Sequence, residues 1–106
     1  MQENYRLKIL GAAQAELEEI AELHMALVGP VSARSITDKI YSSLEHLCEH
    51  PFMGAVLEDK DLRERGYRRL VCGNYLCFYR VVGNEVFVCH IADGRSDYKR
   101  LLRNLD

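Results

Sequence analysis

The residues with chemical potential gather in the second half of the chain. Arg68, Arg69, Arg80, His90, Arg95, Asp97, Tyr98, Lys99, Arg100 and Arg103 all lie there. An arginine within a strand must face solvent, pair with an acid or meet a ligand. In the absence of a metal-ligand cluster, one reaction class fits this set. RNA can be cleaved by its own 2′-hydroxyl if a protein supplies cations for the phosphorane-like transition state and a group to move protons. Arg68, Arg80 and Arg95 are cations of the right kind, and Tyr98 and His90 can move protons. A histidine suits that role because its unperturbed pKa, about 6.5, lies near neutrality. The same basic face with its aromatic anchors suits docking of an acidic protein partner just as well.

Each residue also has a plainer use. Arg80 alternates with Leu76 and Phe78, so a buried pair with an acid serves it as well as a ligand does. Arg68 and Arg69 are neighbours on a strand and must point to opposite faces, so at most one belongs to any one site. Strict alternation puts His90 on the face of Val86 and Val88, where a lone histidine is more often structural. Cys48, Cys72, Cys77 and Cys89 show no CxxC and no paired spacing, which suits four buried thiols in a reducing compartment. His46 and His50 are four apart on one helix face with no third ligand nearby. Neither a metal nor a cofactor is therefore expected. There is no glycine-rich phosphate loop, no Ser/His/Asp set and no HExxH.

The elements that position these residues follow from periodicity and breakers. Tyr5–Leu10 alternates and reads as a strand, which Gly11 ends. From Ala12 to about Val28, Ala13, Leu17, Ile20, His24 and Leu27 recur at steps of three and four, marking an amphipathic helix. Its early acids suit the positive end of the helix dipole. Gly29-Pro30 stops it. A second helix from about Ser32 to Glu49 carries Ala33, Ile36, Ile40, Leu44, Leu47 and Cys48 on one stripe, and Pro51 ends it. Pro51–Arg65 reads as a loop with room for one turn of helix. Strands over Tyr67–Cys72, Tyr75–Val82 and Glu85–Ala92 are separated by Gly73-Asn74 and Gly83-Asn84, both hairpin turns. Ser96 or Asp97 caps a last short helix, DYKRLLRNL, with Tyr98, Leu101, Leu102 and Leu105 as its apolar face. The order β-α-α-β-β-β-α predicts an α+β fold with the helical hairpin across one face of a small, mainly antiparallel sheet.

The chain has 106 residues, 14 basic and 16 acidic, for a net charge of −2, with 48% hydrophobic residues. That length suits one domain, 1–106. The apolar runs are too short to span a membrane and the N-terminus is not that of a secretory signal, so a cytoplasmic protein is expected. The mean charge hides a split. Residues 1–50 hold 4 basic and 8 acidic side chains, whereas residues 63–103 hold 9 basic and 4 acidic. A near-neutral total argues against generic nucleic-acid binding; the divided total does not.

The segment GYRRLVCGNYLCFYRVVGNEVFVCHIADGRSDYKRLL resembles the C-terminal half of RelE/ParE superfamily toxins of bacterial type II toxin–antitoxin modules, the addiction modules that stabilise plasmids. YRLKILGAAQAELEEIAEL is similar to their opening strand and helix. The resemblance implies a toxin that inhibits growth and is neutralised by a cognate antitoxin bound along the Ala12–Glu49 hairpin and the sheet edge. It also implies one of two targets. RelE-like members cleave mRNA on the ribosome, and ParE-like members poison DNA gyrase. RelE-type catalysis would draw here on Arg68, Arg95 and Tyr98. The arginine such enzymes carry early in the third strand is replaced by Leu76, and Arg80 lies about 13 Å further along at 3.3 Å per residue. That departure and a pI of about 6.1 tilt the reading to the ParE-like side, with a non-toxic antitoxin-binding module as a further alternative.

Overall fold

The structure is a computed structural model and describes residues 4–94 together with Arg100 and Leu102. A short strand β1 (Arg6–Ile9) leads into helices α1 (Gly11–Leu27) and α2 (Pro30–His46). A two-residue strand β2 (Ala55–Val56) and a short helix α3 (Lys60–Glu64) follow. Strands β3 (Arg68–Cys72), β4 (Tyr75–Val82) and β5 (Glu85–Asp93) complete the sheet. Its order is β1-β5-β4-β3-β2. Only β1 runs parallel to its neighbour, pairing Arg6–Ile9 with Glu85–Val88. The helical hairpin covers one face, as the α+β reading requires.

Alternation on the strands builds two cores. On the helix side, Cys72, Tyr75, Cys77, Tyr79, Val86, Val88 and Ile91 meet Ala13, Leu17, Ile20, Ile40, Leu44 and Leu47. Tyr5, Leu7 and Ile9 pack against this cluster from β1. On the far side, Phe78, Cys89 and Ala92 meet Leu57, Leu62, Tyr67 and Leu102. Both hairpin turns place the glycine, Gly73 (φ 65°) and Gly83 (φ 61°), in the left-handed region, and neither asparagine joins it. A positive φ at the first central position is the type II′ pattern, whose twist matches the flanking strands.

Three expectations change. Residues 51–65 hold the expected turn of helix, α3, capped by the Asp59 carboxylate, which accepts from Leu62 N–H at 3.1 Å, but also an unexpected strand, β2, that adds to the sheet edge. The acids of α1 begin at Glu16, beyond the first turn, so they fall outside the reach of the helix dipole. Leu27, expected on the buried stripe, is 74% exposed beside Val28 at 75% and Val31 at 83%, because the hairpin tip projects past the sheet. The expected last helix lies outside the described residues except for Arg100 and Leu102, both helical. Among the described residues, no helix is long and apolar enough to cross a membrane.

Candidate functional site

Arg68 opens β3 on the helix-side face, opposite Tyr79. Its guanidinium donates to the backbone carbonyls of Gly54 (2.8 Å) and Phe52 (3.2 Å) and lies 5.2 Å from the Phe52 ring centroid. The Tyr79 hydroxyl accepts from Gly54 N–H at 2.9 Å. Only glycine fits position 54, since a Cβ there would lie 2.5 Å from the Tyr79 hydroxyl and 2.7 Å from the Arg69 carbonyl. Burial pushes the Tyr79 phenol pKa up, opposed by the Gly54 N–H and the Arg68 charge. Arg68 thus clamps the loop at 52–54 onto the sheet.

Arg80 stands on the other face, one residue beyond Tyr79. Its guanidinium carbon lies 5.1 Å from the Tyr67 ring centroid, a cation–π contact. Among the described residues, its buried Nε has no hydrogen-bond partner and no carboxylate pairs with it. Burial raises the nearby Cys89 thiol to about 11, with the Arg80 charge pulling the other way. Leu76 packs against the same far-side cluster. Arg69, opposite Phe78, shares that face, so the sheet itself separates Arg68 from Arg69 and Arg80.

His90 departs from simple alternation because β5 bulges. Val88 pairs with Tyr79 but His90 pairs with Phe78, leaving Cys89 as the extra residue. Val86 and Val88 stay on the helix side, and His90 leaves their face. The His90 imidazole meets both carboxylate oxygens of Glu16 at 3.0 Å, and the same carboxylate accepts from Ile91 N–H at 3.0 Å. One Glu16 carboxylate thus ties α1 to β5 through both the imidazole and the neighbouring amide. Arg95 and Tyr98 lie outside the described residues. Arg68, Arg80 and His90 are not brought to one point.

A second polar network escaped the sequence reading, in which His24 counted only as one position of an apolar stripe. Its Nδ1 lies 3.0 Å from Ser32 Oγ and its Nε2 3.1 Å from the Tyr75 hydroxyl. The network joins the end of α1, the start of α2 and the start of β4. Burial first, and then Asp93, raise the Tyr75 phenol pKa. Beside it, a groove of about 360 Å³ runs between α1 and the edge of β5 that lies beyond the end of β1. Ile20, Leu23 and Ile91 form its floor, and Glu16, Glu19 and Asp93 its rim. Among the described residues, no group of three His, Cys, Asp or Glu side chains is placed to hold a metal ion.

A profile of the family described as ParE toxin of type II toxin-antitoxin system, parDE, matches residues 7–98. The chain belongs to this ParE toxin family. Toxin ParE1 of Caulobacter vibrioides is 35% identical over 69 residues, covering 65% of this chain and 69% of the relative. The fold is shared with a solved structure titled "Chromosomal ParDE TA system from P. aeruginosa", at a TM-score of 0.72. That match covers 84% of this chain and 95% of the other at 24% identity. The ParE match spans both the acidic helical hairpin and the basic sheet, so the charge division noted in the sequence lies within one toxin family unit.

Proposed function

We propose that this ParE-family toxin arrests bacterial growth by poisoning DNA gyrase and is neutralised by a cognate antitoxin seated on its acidic groove. The observation that carries the choice of target is the fate of the arginines. Arg68 is engaged with the carbonyls of residues 52 and 54 on the helix side. Arg80 projects from the far side, and Leu76 occupies the position where a third-strand arginine would serve RNA cleavage. A phosphorane-like transition state needs converging cations, and these three positions do not converge. The ParE-like branch, which acts on gyrase, suits such an arrangement.

The groove between α1 and β5 has an apolar floor and a carboxylate rim, which suits a basic amphipathic antitoxin segment. The Ile91 amide on this edge is already taken by Glu16. The groove is therefore suited to side-chain anchors rather than to an added strand at that point.

Induced expression without antitoxin is expected to stop growth, with loss of plasmid supercoiling, double-strand DNA breaks and intact mRNA. Codon-register mRNA cuts that vanish in Arg95→Ala or Tyr98→Ala would replace gyrase with ribosome-bound mRNA as the target. Unaffected growth would instead leave a non-toxic antitoxin-binding module. For the antitoxin surface, reversing the rim with Glu19→Lys is expected to weaken toxin–antitoxin binding by about tenfold, a loss of about 1.4 kcal/mol. Isothermal titration calorimetry on the purified pair reads it, and unchanged affinity would move the antitoxin elsewhere.

A further inference from the structure

The Gly73-Asn74 turn folds β3 back on β4 and brings Cys72 and Cys77 together, although the sequence separates them by four residues. Cys72 pairs across the ladder with Tyr75, and Cys77 pairs with Leu70. The two cysteines therefore lie on a cross-strand diagonal of the helix-side face. Their sulfurs are 3.1 Å apart, about 1 Å more than a disulfide bond of about 2.05 Å. Both are free thiols in the structure. The Lys39 side chain reaches over the adjoining turn, with its ammonium 3.5 Å from where a Cβ on Gly73 would be.

We propose that Cys72 and Cys77 are a redox-active dithiol that a small hydroperoxide converts to an intramolecular disulfide. The two sulfurs have unequal roles. The hydrogen bond shared with Cys77 lowers the Cys72 pKa against the effect of burial, with Ser43 and the Lys39 charge acting in the same sense. The same hydrogen bond and burial both raise the Cys77 pKa. Cys72 is accordingly the attacking sulfur, because the thiolate is the nucleophile. Its lone pair attacks one peroxide oxygen; an S–O bond forms, the O–O bond breaks, and the departing oxygen leaves as water or an alcohol after taking a proton. Cys72 is then a sulfenic acid. The Cys77 sulfur attacks it, an S–S bond forms and the S–O bond breaks. Hydroxide leaves and takes the Cys77 proton as water. Two thiols lose two electrons and the peroxide gains them.

The other two cysteines provide internal controls. Cys89 lies in the far-side cluster and is about as buried as Cys72 and Cys77, with its thiol pushed up to about 11 by burial. Cys48 is more accessible, and burial with Glu45 and Glu49 raises its pKa. Among the described residues, neither forms a hydrogen bond with another sulfur.

The test is peptide mapping of the full-length purified chain. Reduced protein is desalted, treated with increasing hydrogen peroxide, denatured, alkylated and digested with trypsin. Cleavage after Arg69 and Arg80 leaves both cysteines in one peptide, LVCGNYLCFYR. The expected result is loss of both alkyl groups from this peptide, with a mass two hydrogens below its dithiol form, reversed by dithiothreitol and occurring before Cys89 changes. In Cys72→Ser the Cys77 alkyl group should persist at the same dose. The wild-type peptide decides the matter even where that variant does not fold. The proposal is overturned if the peptide remains doubly alkylated once Cys48 is oxidised. It is equally overturned if Cys72 passes to sulfinic acid while Cys77 keeps its thiol.

Discussion

The helix side and the far side of the sheet treat their polar residues differently. On the helix side, His24 bridges Ser32 and Tyr75 and Arg68 with Tyr79 fixes the loop at Gly54, while at the edge of β5 Glu16 holds His90 and the Ile91 amide. Each bond crosses from one element to another: His24–Ser32 ties α1 to α2, and the others tie helix or loop to sheet. On the far side, Arg80 packs on Tyr67 with its Nε buried and unpartnered, beside a smaller cluster. A buried donor without a partner costs on the order of 1–3 kcal/mol. Selection for stability alone would pair it or replace it. The contrast teaches that the helix-side contacts tie elements together, whereas among the described residues the Arg80 Nε is a buried donor with no such tie.

The largest effect expected tests the helix side directly. Ile40, fully buried between hairpin and sheet, should lose about 2–5 kcal/mol on substitution by alanine through lost burial and the residual cavity. Urea unfolding measures it, and a loss no larger than that for Leu62→Ala on the far side would erase the distinction in core strength. Next, Gly54→Ala should cost about 1–3 kcal/mol, because the new methyl meets the Tyr79 hydroxyl and the Arg69 carbonyl. Tyr79→Phe should cost less, about 1–2 kcal/mol, by leaving the Gly54 amide unpaired. A reversed order would show that the clamp rests on the hydrogen bond and not on close approach.

The far side should reveal itself in alkali. The Cys89 thiol titrates near 11 in the fold and near about 8.5 in the unfolded chain. Between these values the folded state holds the proton and the unfolded state has lost it. Stability contributed by the neutral thiol is therefore complete below about pH 8.5 and declines as pH rises toward 11. Cys89→Ala should flatten that decline in urea midpoints measured across the range. The smallest stability change expected is at Arg80. Arg80→Met removes the buried donor and the cation–π contact together, so relief of about 1–3 kcal/mol is offset by a loss of about 0.5–2 kcal/mol and the net shift should be about 1 kcal/mol or less. Growth arrest on induction should nevertheless weaken. Full toxicity in this variant would mean that the unpartnered arginine serves neither side.

Much of this contrast can be read in the sequence, and the rest cannot for identifiable reasons. The alternation of Tyr75, Cys77 and Tyr79 against Leu76, Phe78 and Arg80 assigns the two faces of β4, since side chains on a strand point alternately. Its outcome matches the observed clusters. The stripe Ala33, Ile40, Leu44 and Leu47 is likewise legible, because helical spacing exposes one face. His90 is misplaced by the same rule, because a single extra residue at Cys89 resets the alternation and nothing local marks it. The Gly54 turn is silent in sequence for a related reason. Its constraint comes from Tyr79, twenty-five residues away, and local pattern carries no long-range contact.

The sequence by itself determined the order of the main elements apart from β2, the helix stripes, the two glycine turns and the division of charge between hairpin and sheet. These depend on neighbours within a few residues, where periodicity and backbone preference act. Its motifs also pointed to the toxin family that residues 7–98 match. Only the tertiary structure decided which polar groups meet. It joined His24 to Tyr75, Glu16 to His90, Arg68 to the carbonyls of residues 52 and 54, and Cys72 to Cys77. Those pairings depend on strand register, a bulge and the placement of a helix over the sheet. All three are settled by packing between distant parts of the chain.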